Sequence, residues 1–501
     1  MASNSFPHDP SAATPDWETV WEAFQVDPDA EISVLAQRAI FLARQLQLRA
    51  RQLQTPQERR QQAELDRMIQ NPHDKATLIQ MTDQAFRSET AGRAADQLIH
   101  ILDVQGVPRF FSPLERTLLR GFQSFGAYLP GVAVPLVKEK MQRETANVIL
   151  PAERETLAKY LQQRKEEGVR MNVNFLGEAL LGEQEAQRRL QGYLQALQWP
   201  EIEVISVKVS TLDSQITPLG KEASMDRLCD RLELLYRAAL KVPHQQLDGS
   251  QVPKLIYLDM EEYRDMLITA EVFMRTLSRP GLEQASGGIA LQAYLPDSHG
   301  VQQQILDWAR RRLAAGGSPV TMRLVKGANM EMERVEAALH GWPQAPYSSK
   351  IETDANYKKM LHVALQAENI AAVRLGVASH NLFDVCYALV VAAEEGCLEN
   401  VQFEMLEGMA NHQRRALREL VDNVLLYAPA CQQNDFLNAI GYLVRRLDEN
   451  TGPQNYLRHT FRLQVDSPVW KELEQQFLES LAKMDTVSNQ PRRQQDRSQP
   501  L

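Results

Sequence analysis

From Val169 onward, short segments of strand character alternate eight times with segments of helical period. In order the strand-like segments are VRMNVNFLG (169–177), EVISVKVS (203–210), KLIYLD (254–259), GIALQAY (288–294), VTMRLVKG (320–327), AAVRLGVAS (371–379), VQFEML (401–406) and NVLLYAP (423–429). Stretches such as EQEAQRRLQGYLQALQW, EYRDMLITAEVFMRTL, VQQQILDWARRRLAA and FDVCYALVVAAEE separate them. Strand followed by helix, eight times over, is the pattern of an α/β protein that closes into a (βα)8 TIM barrel. A doubly wound open sheet is the main competitor. It lacks its glycine signature here, because ASGGIA and AAGGSP do not have the spacing of a dinucleotide-binding loop.

The ends of these segments carry polar groups. In the second, Ser206, Lys208 and Ser210 alternate with Ile205, Val207 and Val209, so the two sets take opposite faces. The third ends in Asp259, the fourth sets Gln292 and Tyr294 on one face, and the fifth aligns Thr321, Arg323 and Val325. The sixth runs into Ser379, His380 and Asn381, the seventh aligns Gln402, Glu404 and Leu406, and the eighth closes with Tyr427. Barrel enzymes build their active sites at the carboxyl ends of the strands. A metal site could draw on Asp259, His380 and Glu404, but Lys208, Arg323, Lys326, Arg445 and Arg446 surround it with positive charge. That cationic excess suits an anionic ligand: an acid substrate, a phosphorylated cofactor, or both. No metal is expected. No P-loop or Ser-His-Asp arrangement presents itself.

Beyond the last strand, YLVRRLDEN places Tyr442, Arg445, Arg446 and Glu449 at i, i+3, i+4 and i+7, one face of a helix. Two guanidiniums beside a phenol form a natural clamp for a small amino or keto acid, since each planar fork matches a carboxylate. The alternative is a solvated face on which Glu449 balances one arginine.

The remaining sequence frames the barrel. Residues 1–30 read as a loose N-terminus, 31–168 as a helical arm and α-domain, 169–460 as the barrel, and 461–501 as a helix with a polar tail. Leu35, Ala39, Leu42, Leu46, Ala50 and Leu53 repeat at helical steps with arginines between them, and the arginines read as a solvated face or one that meets acidic lipid or a partner. Thr55 and Glu58 form a capping-box pattern. A net charge of −9 over 501 residues argues against a nucleic-acid partner. Cys229, Cys386, Cys397 and Cys431 show no metal-ligand spacing and suit a reducing compartment. With no signal peptide and no spanning run, the expectation is a cytoplasmic protein that meets a membrane only at its surface.

Five motifs occur together and in order: RLVKGANMEMERVEA, GWPQAPYSSKIETDANY, ASHNLFD, FEMLEGMANHQ and YLVRRLDEN. Together they resemble the proline dehydrogenase domain of bacterial proline utilization A, over about residues 170–460, with the helical region before them also similar. The resemblance implies a distorted (βα)8 barrel that holds FAD, oxidises L-proline to Δ1-pyrroline-5-carboxylate and passes electrons to a membrane quinone at the inner face of the membrane. It implies that Arg445, Arg446 and Lys208 clamp the proline carboxylate, that Tyr427, Tyr442 and Leu406 wall the ring, and that Asp259 lies near flavin and substrate. Arg323, Val325, Gly327 and Ala328 match the segment lining the isoalloxazine, with Gln292 at its polar edge and Glu404 in the same cofactor set. Ser348, Lys350, Ser379, His380, Asn381 and Glu449 match positions holding the ribityl, pyrophosphate and adenosine parts. Glu178 is expected to pair with Arg445 as a gate over bound substrate.

There are departures from the pattern. The run KGANM places Asn329 and Met330 where other members have an aromatic pair, so the substrate wall there is built differently. Bifunctional relatives continue into a pyrroline-5-carboxylate dehydrogenase, which is expected here as a separate domain or subunit if at all. The rival readings are a catalytically silent barrel that partners such a dehydrogenase, and a flavin-free barrel lyase.

Overall fold

The change of period at Val169 is a change of architecture. The computed structural model describes residues 31–60, 63, 72–81, 84, 88, 90–109, 111, 113–125, 130–131, 134, 149–177, 182–217, 220–246, 248–433, 439, 441–442, 446, 455–460 and 462–494. Before the change come helices α1 (Ile32–Leu53), α2 (Pro72–Gln80), α3 (Ala91–Gln105), α4 (Pro113–Phe125) and α5 (Arg154–Glu166). After it come strands β1 (Arg170–Phe175), β2 (Val204–Val207), β3 (Leu255–Leu258), β4 (Gly287–Gln292), β5 (Val320–Val325), β6 (Val373–Ala378), β7 (Val401–Leu406) and β8 (Val424–Cys431). Each strand pairs in parallel with the next, and β8 pairs with β1 with Tyr427 opposite Asn172, so the sheet closes. These are the eight segments read from the sequence. β2 stops at Val207 because Val209–Leu212 turns into a short helix.

The connecting helices are α6 (Glu183–Ala196), α7 (Lys221–Lys241), α8 (Met266–Leu277), α9 (Asp297–Ala314), α10 (Met330–His340), α11 (Lys350–Leu365), α12 (Leu382–Glu394) and α13 (Asn411–Arg418), with α14 (Pro468–Ala482) beyond the barrel. Outward strand residues and inward helix faces form the main core, in which α12 is buried almost all round. Trp470 of α14 is fully buried against Phe383 of α12, ring centroids 4.8 Å apart. Burying a side chain of that size contributes about 2–3 kcal/mol.

Helix α1 corrects the reading of its arginines as a solvated or lipid-facing surface. Its apolar stripe packs on α12 and α13, where Arg38 pairs with Glu394 and Arg49 with Glu419 at 2.7 Å, while Arg44 pairs with Asp466, ahead of α14, at 2.5 Å. The capping box forms as expected, with the Thr55 amide donating to Glu58 at 2.8 Å and the Glu58 amide to Thr55 Oγ1 at 3.2 Å. The loose N-terminus expected for 1–30 lies outside the described residues.

Inside, the barrel is polar. Asn172, Ser206, Tyr257, Gln292, Arg323, Gln402 and Glu404 are all buried and come from six different strands. Glycine makes this possible. A Cβ on Gly288 would lie 2.5 Å from the Tyr257 ring, and one on Gly376 would fall on the Glu404 carboxylate. The ASGGIA segment therefore serves packing, not phosphate binding.

Candidate active site

The polar interior rises to one layer at the carboxyl ends of the strands. Arg323 of β5 sits between two carboxylates: Nε donates to Glu404 Oε2 at 2.5 Å and Nη1 to Asp259 Oδ1 at 2.9 Å. Its guanidinium lies 3.8 Å from the centroid of the Tyr257 ring and 5.4 Å from that of Tyr427. Such a stack favours the cation in a dry site. Asp259, one residue past β3, also accepts from Ser206 Oγ at 3.0 Å and from the Tyr427 hydroxyl at 2.8 Å. Glu404 accepts from the Tyr257 hydroxyl and from Gln402, each at 2.7 Å. Burial, with Asp259 and Tyr442 nearby, holds the Tyr427 phenol well above its ordinary pKa, so it remains a donor.

The other cations at the rim are paired too. Lys208, just past β2, meets Glu261 Oε1 at 2.7 Å, and Ser210 donates to the other oxygen of that carboxylate. Lys326 bridges Asp354 and Asp384, 2.6 Å from each. Lys350 lies 2.5 Å from Asp354 and Lys358 2.8 Å from Asp384. Burial opposes the Lys326 charge, yet the two aspartates raise its pKa above the ordinary lysine range. For Lys208, Arg323 and Lys326 the positive charge read from the sequence is therefore offset by carboxylates. Their partners come from other elements, whereas Lys350 and Asp354 share α11.

Buried polar atoms of this layer without a hydrogen-bond partner among the described residues include Arg323 Nη2, Gln292 Oε1 and His380 Nδ1. The amide of Gln292 is fixed by the carbonyls of Met260 and Glu261, at 3.3 and 3.2 Å. His380 Nε2 accepts from the Leu406 backbone amide at 3.0 Å, which leaves its proton on Nδ1. Donor and acceptor atoms held this firmly fit a large polar cofactor.

Most of the expected positions gather here. Val325, Gly327 and Ala328 follow Arg323 directly. Gly327 has φ 128°, and a Cβ on it would lie 2.5 Å from the Tyr294 ring, so only glycine fits. Ser379 and Asn381 flank His380, but Asn381 also caps α12, its Oδ1 accepting from the Phe383 amide at 3.1 Å. Ser348 is exposed in the loop before α11. Tyr442 is buried, with the Arg446 guanidinium 4.6 Å from its ring centroid, and the Arg446 charge reaches His380. Asn329, which stands where other members carry an aromatic residue, donates to the Glu261 carbonyl at 2.5 Å. Arg445, Glu449 and Glu178, and with Glu178 the proposed gate, lie outside the described residues. Glu261, Asp354 and Asp384 escaped the sequence reading. The only signal for the first was its place two residues after Asp259.

The family model described as proline dehydrogenase matches residues 157–459, more than half of the chain. The chain belongs to the proline dehydrogenase family. Two curated relatives, the bifunctional protein PutA of Klebsiella aerogenes and that of Escherichia coli (strain K12), are each 28% identical over 320 residues, which is 59% of this chain and 23% of the relative. The chain thus spans about a quarter of the length of these relatives. Among solved structures, proline utilization A from Corynebacterium freiburgense is similar at 40% identity and TM-score 0.63, over 71% of this chain and 34% of that one. Proline utilization A from Bdellovibrio bacteriovorus, inactivated by N-propargylglycine, is similar at 25% identity and TM-score 0.70, over 88% of this chain and 44% of that one. The closed eight-stranded barrel with Asp259, Arg323 and Tyr427 at its mouth is a proline dehydrogenase barrel.

Proposed function

We propose that this barrel oxidises L-proline to Δ1-pyrroline-5-carboxylate with FAD as its resident cofactor. The observation that carries the reading is the set of buried, unpartnered polar atoms on Arg323, Gln292 and His380 beside a tyrosine-lined layer. Leaving such an atom unsatisfied costs about 1–3 kcal/mol, so a ligand that satisfies three of them gains accordingly. FAD, when bound, supplies the hydride acceptor. Gln292, Arg323, Val325, Gly327 and Ala328 are assigned to its ring system, with Glu404 acting through Arg323. Ser348, Lys350, Ser379, His380, Asn381 and Glu449 are assigned to the ribityl, pyrophosphate and adenosine parts.

The chain's own residues then bind and orient the substrate. Lys208 and Arg446, with Arg445, take the proline carboxylate, while Tyr427, Tyr442 and Leu406 flank its ring. Asp259 is committed to three donors, so its task is to hold Tyr427 and Arg323 in place rather than to move a proton. Glu178 is assigned to the gate over Arg445. Electrons would leave to a membrane quinone, from a cytoplasmic enzyme at the inner face of the membrane. No helix among the described residues is long and apolar enough to cross a membrane, which leaves contact at the surface as the mode consistent with this reading. The product is an imine acid, and a pyrroline-5-carboxylate dehydrogenase domain or subunit would consume it.

The test is optical. Purified protein loaded with FAD should show oxidised-flavin absorbance that L-proline bleaches in the absence of oxygen. Absorbance unchanged by proline would leave the catalytically silent barrel.

A further inference from the structure

The segment that follows α14, expected as a polar tail, lies against the barrel. Val487 is buried with Tyr347 and Ala355, and the Tyr347 hydroxyl donates to the Ser488 carbonyl at 2.5 Å. Arg492 donates to the Pro346 carbonyl. Arg493 goes deepest. Its side chain is only 14% exposed, and its guanidinium lies 5.3 Å from the Tyr263 ring centroid and 5.4 Å from that of Trp342. Nε donates to the Pro343 carbonyl at 2.8 Å, and the two terminal nitrogens approach Glu336 at 3.3 Å and Glu333 at 3.9 Å.

Those partners belong to α10 with the residues just after it, Trp342 and Pro343, and to the loop between β3 and α8. Glu333 and Glu336 lie on α10, whose N-cap Asn329 holds the Glu261 carbonyl. Tyr263 lies on the loop between β3 and α8, and its amide donates to Glu333 Oε1 at 2.7 Å. The same loop carries Glu261, which holds Lys208. Arg493 and Lys208 line one cavity of about 1500 Å³. An arginine stacked on one ring from each side of a junction and paired with carboxylates on one of them resists sliding between the two.

We infer that Arg493 is a positioning residue: by clamping α10 to the β3–α8 loop it fixes Glu261, and through Glu261 it aims Lys208 at the substrate carboxylate. The part played by Lys208 rests on the proline reading above; the clamp does not. Two full-length variants, Arg493→Ala and Arg493→Lys, separate the claims. In Arg493→Ala the Tyr263 amide should exchange with deuterium at least about tenfold faster, because it reports its bond to Glu333. With FAD bound, KM for proline should rise about tenfold while kcat stays within about twofold. Arg493→Lys should fall between, since an ammonium keeps the attraction to the glutamates and loses the planar stack. Unchanged exchange at Tyr263 in both variants would overturn the clamp. Faster exchange with an unchanged KM would overturn the positioning role. If the parent protein does not turn over proline, the function proposed above fails, and the exchange comparison still decides whether the clamp exists.

Discussion

Arg323 and Glu404 meet at 2.5 Å in a layer of the barrel where both side chains are at most 5% exposed. Burial works against the Arg323 charge, and Glu404 is the foremost group that holds its pKa up. Removing one member of a buried pair costs about 3–5 kcal/mol, the lower end applying here because Asp259 still pairs with Arg323. Glu404→Leu also takes the acceptor from the Tyr257 hydroxyl and one of the two acceptors from the Gln402 amide. It should lose about that much stability in urea unfolding, with Glu404→Gln losing less because an amide oxygen can still accept. A Glu404→Leu loss below about 1 kcal/mol would mean the pair does not hold this layer together.

Acid should weaken the fold through its histidines. Burial, reinforced by the Arg446 charge, lowers the His380 pKa to about 3, and burial lowers that of His412 to about 4. Unfolded histidine titrates near 6.5, so between that pH and the folded values the unfolded chain binds protons that the native protein does not. Stability is therefore fully present above about pH 6.5 and falls as pH drops through the window below it. His380→Gln should flatten the slope of unfolding free energy against pH by about one proton between pH 4.5 and 6.5. An unchanged slope would show that His380 is protonated in the folded state, contrary to its bond from the Leu406 amide.

The barrel was legible because periodicity is local: eight alternating runs with polar ends leave few alternatives, and their order fixes the rim. Pairings across the barrel were not legible. Lys208 and Glu261 are 53 residues apart, and Arg323 and Glu404 are 81 apart. Spacing along a strand or helix cannot report such contacts, so the carboxylates that pair with Lys208, Arg323 and Lys326 were missed. Arg493 was invisible for the same reason. In QPRRQQDRSQ it reads as a solvated charge, and only its stack on Tyr263 and Trp342 shows otherwise.

Lys208 tests the substrate end directly. Its side chain is 25% exposed and its ammonium is held by Glu261, so it stands ready as a cation for a carboxylate. A charge-assisted contact of this kind contributes about 1.5–3 kcal/mol, or about ten- to a hundred-fold in affinity. Lys208→Met should raise KM for proline by that factor and leave flavin content unchanged, since none of the unpartnered cofactor-side atoms touches it. Loss of flavin with an unchanged KM would move Lys208 to the cofactor end.

Gly376 carries the last prediction. Its strand lies between β5 and β7, with Arg323 opposite it on one side and Gln402 on the other. Its missing side chain is what lets the Glu404 carboxylate reach Arg323. A Cβ there would fall on Glu404 Oε1 and lie 3.3 Å from the Arg323 Cα, and backbone on that side cannot yield. Overpacking of this kind costs about 1–3 kcal/mol. Gly376→Ala should therefore destabilise by about that amount, and it should do so by displacing Glu404. Displacement makes a further change at Glu404 cheaper than it is in the parent protein. In a double-mutant cycle with Glu404→Gln, the combined loss should fall short of the sum by at least about 0.5 kcal/mol. Strict additivity would show that Gly376 and Glu404 do not compete for the same space.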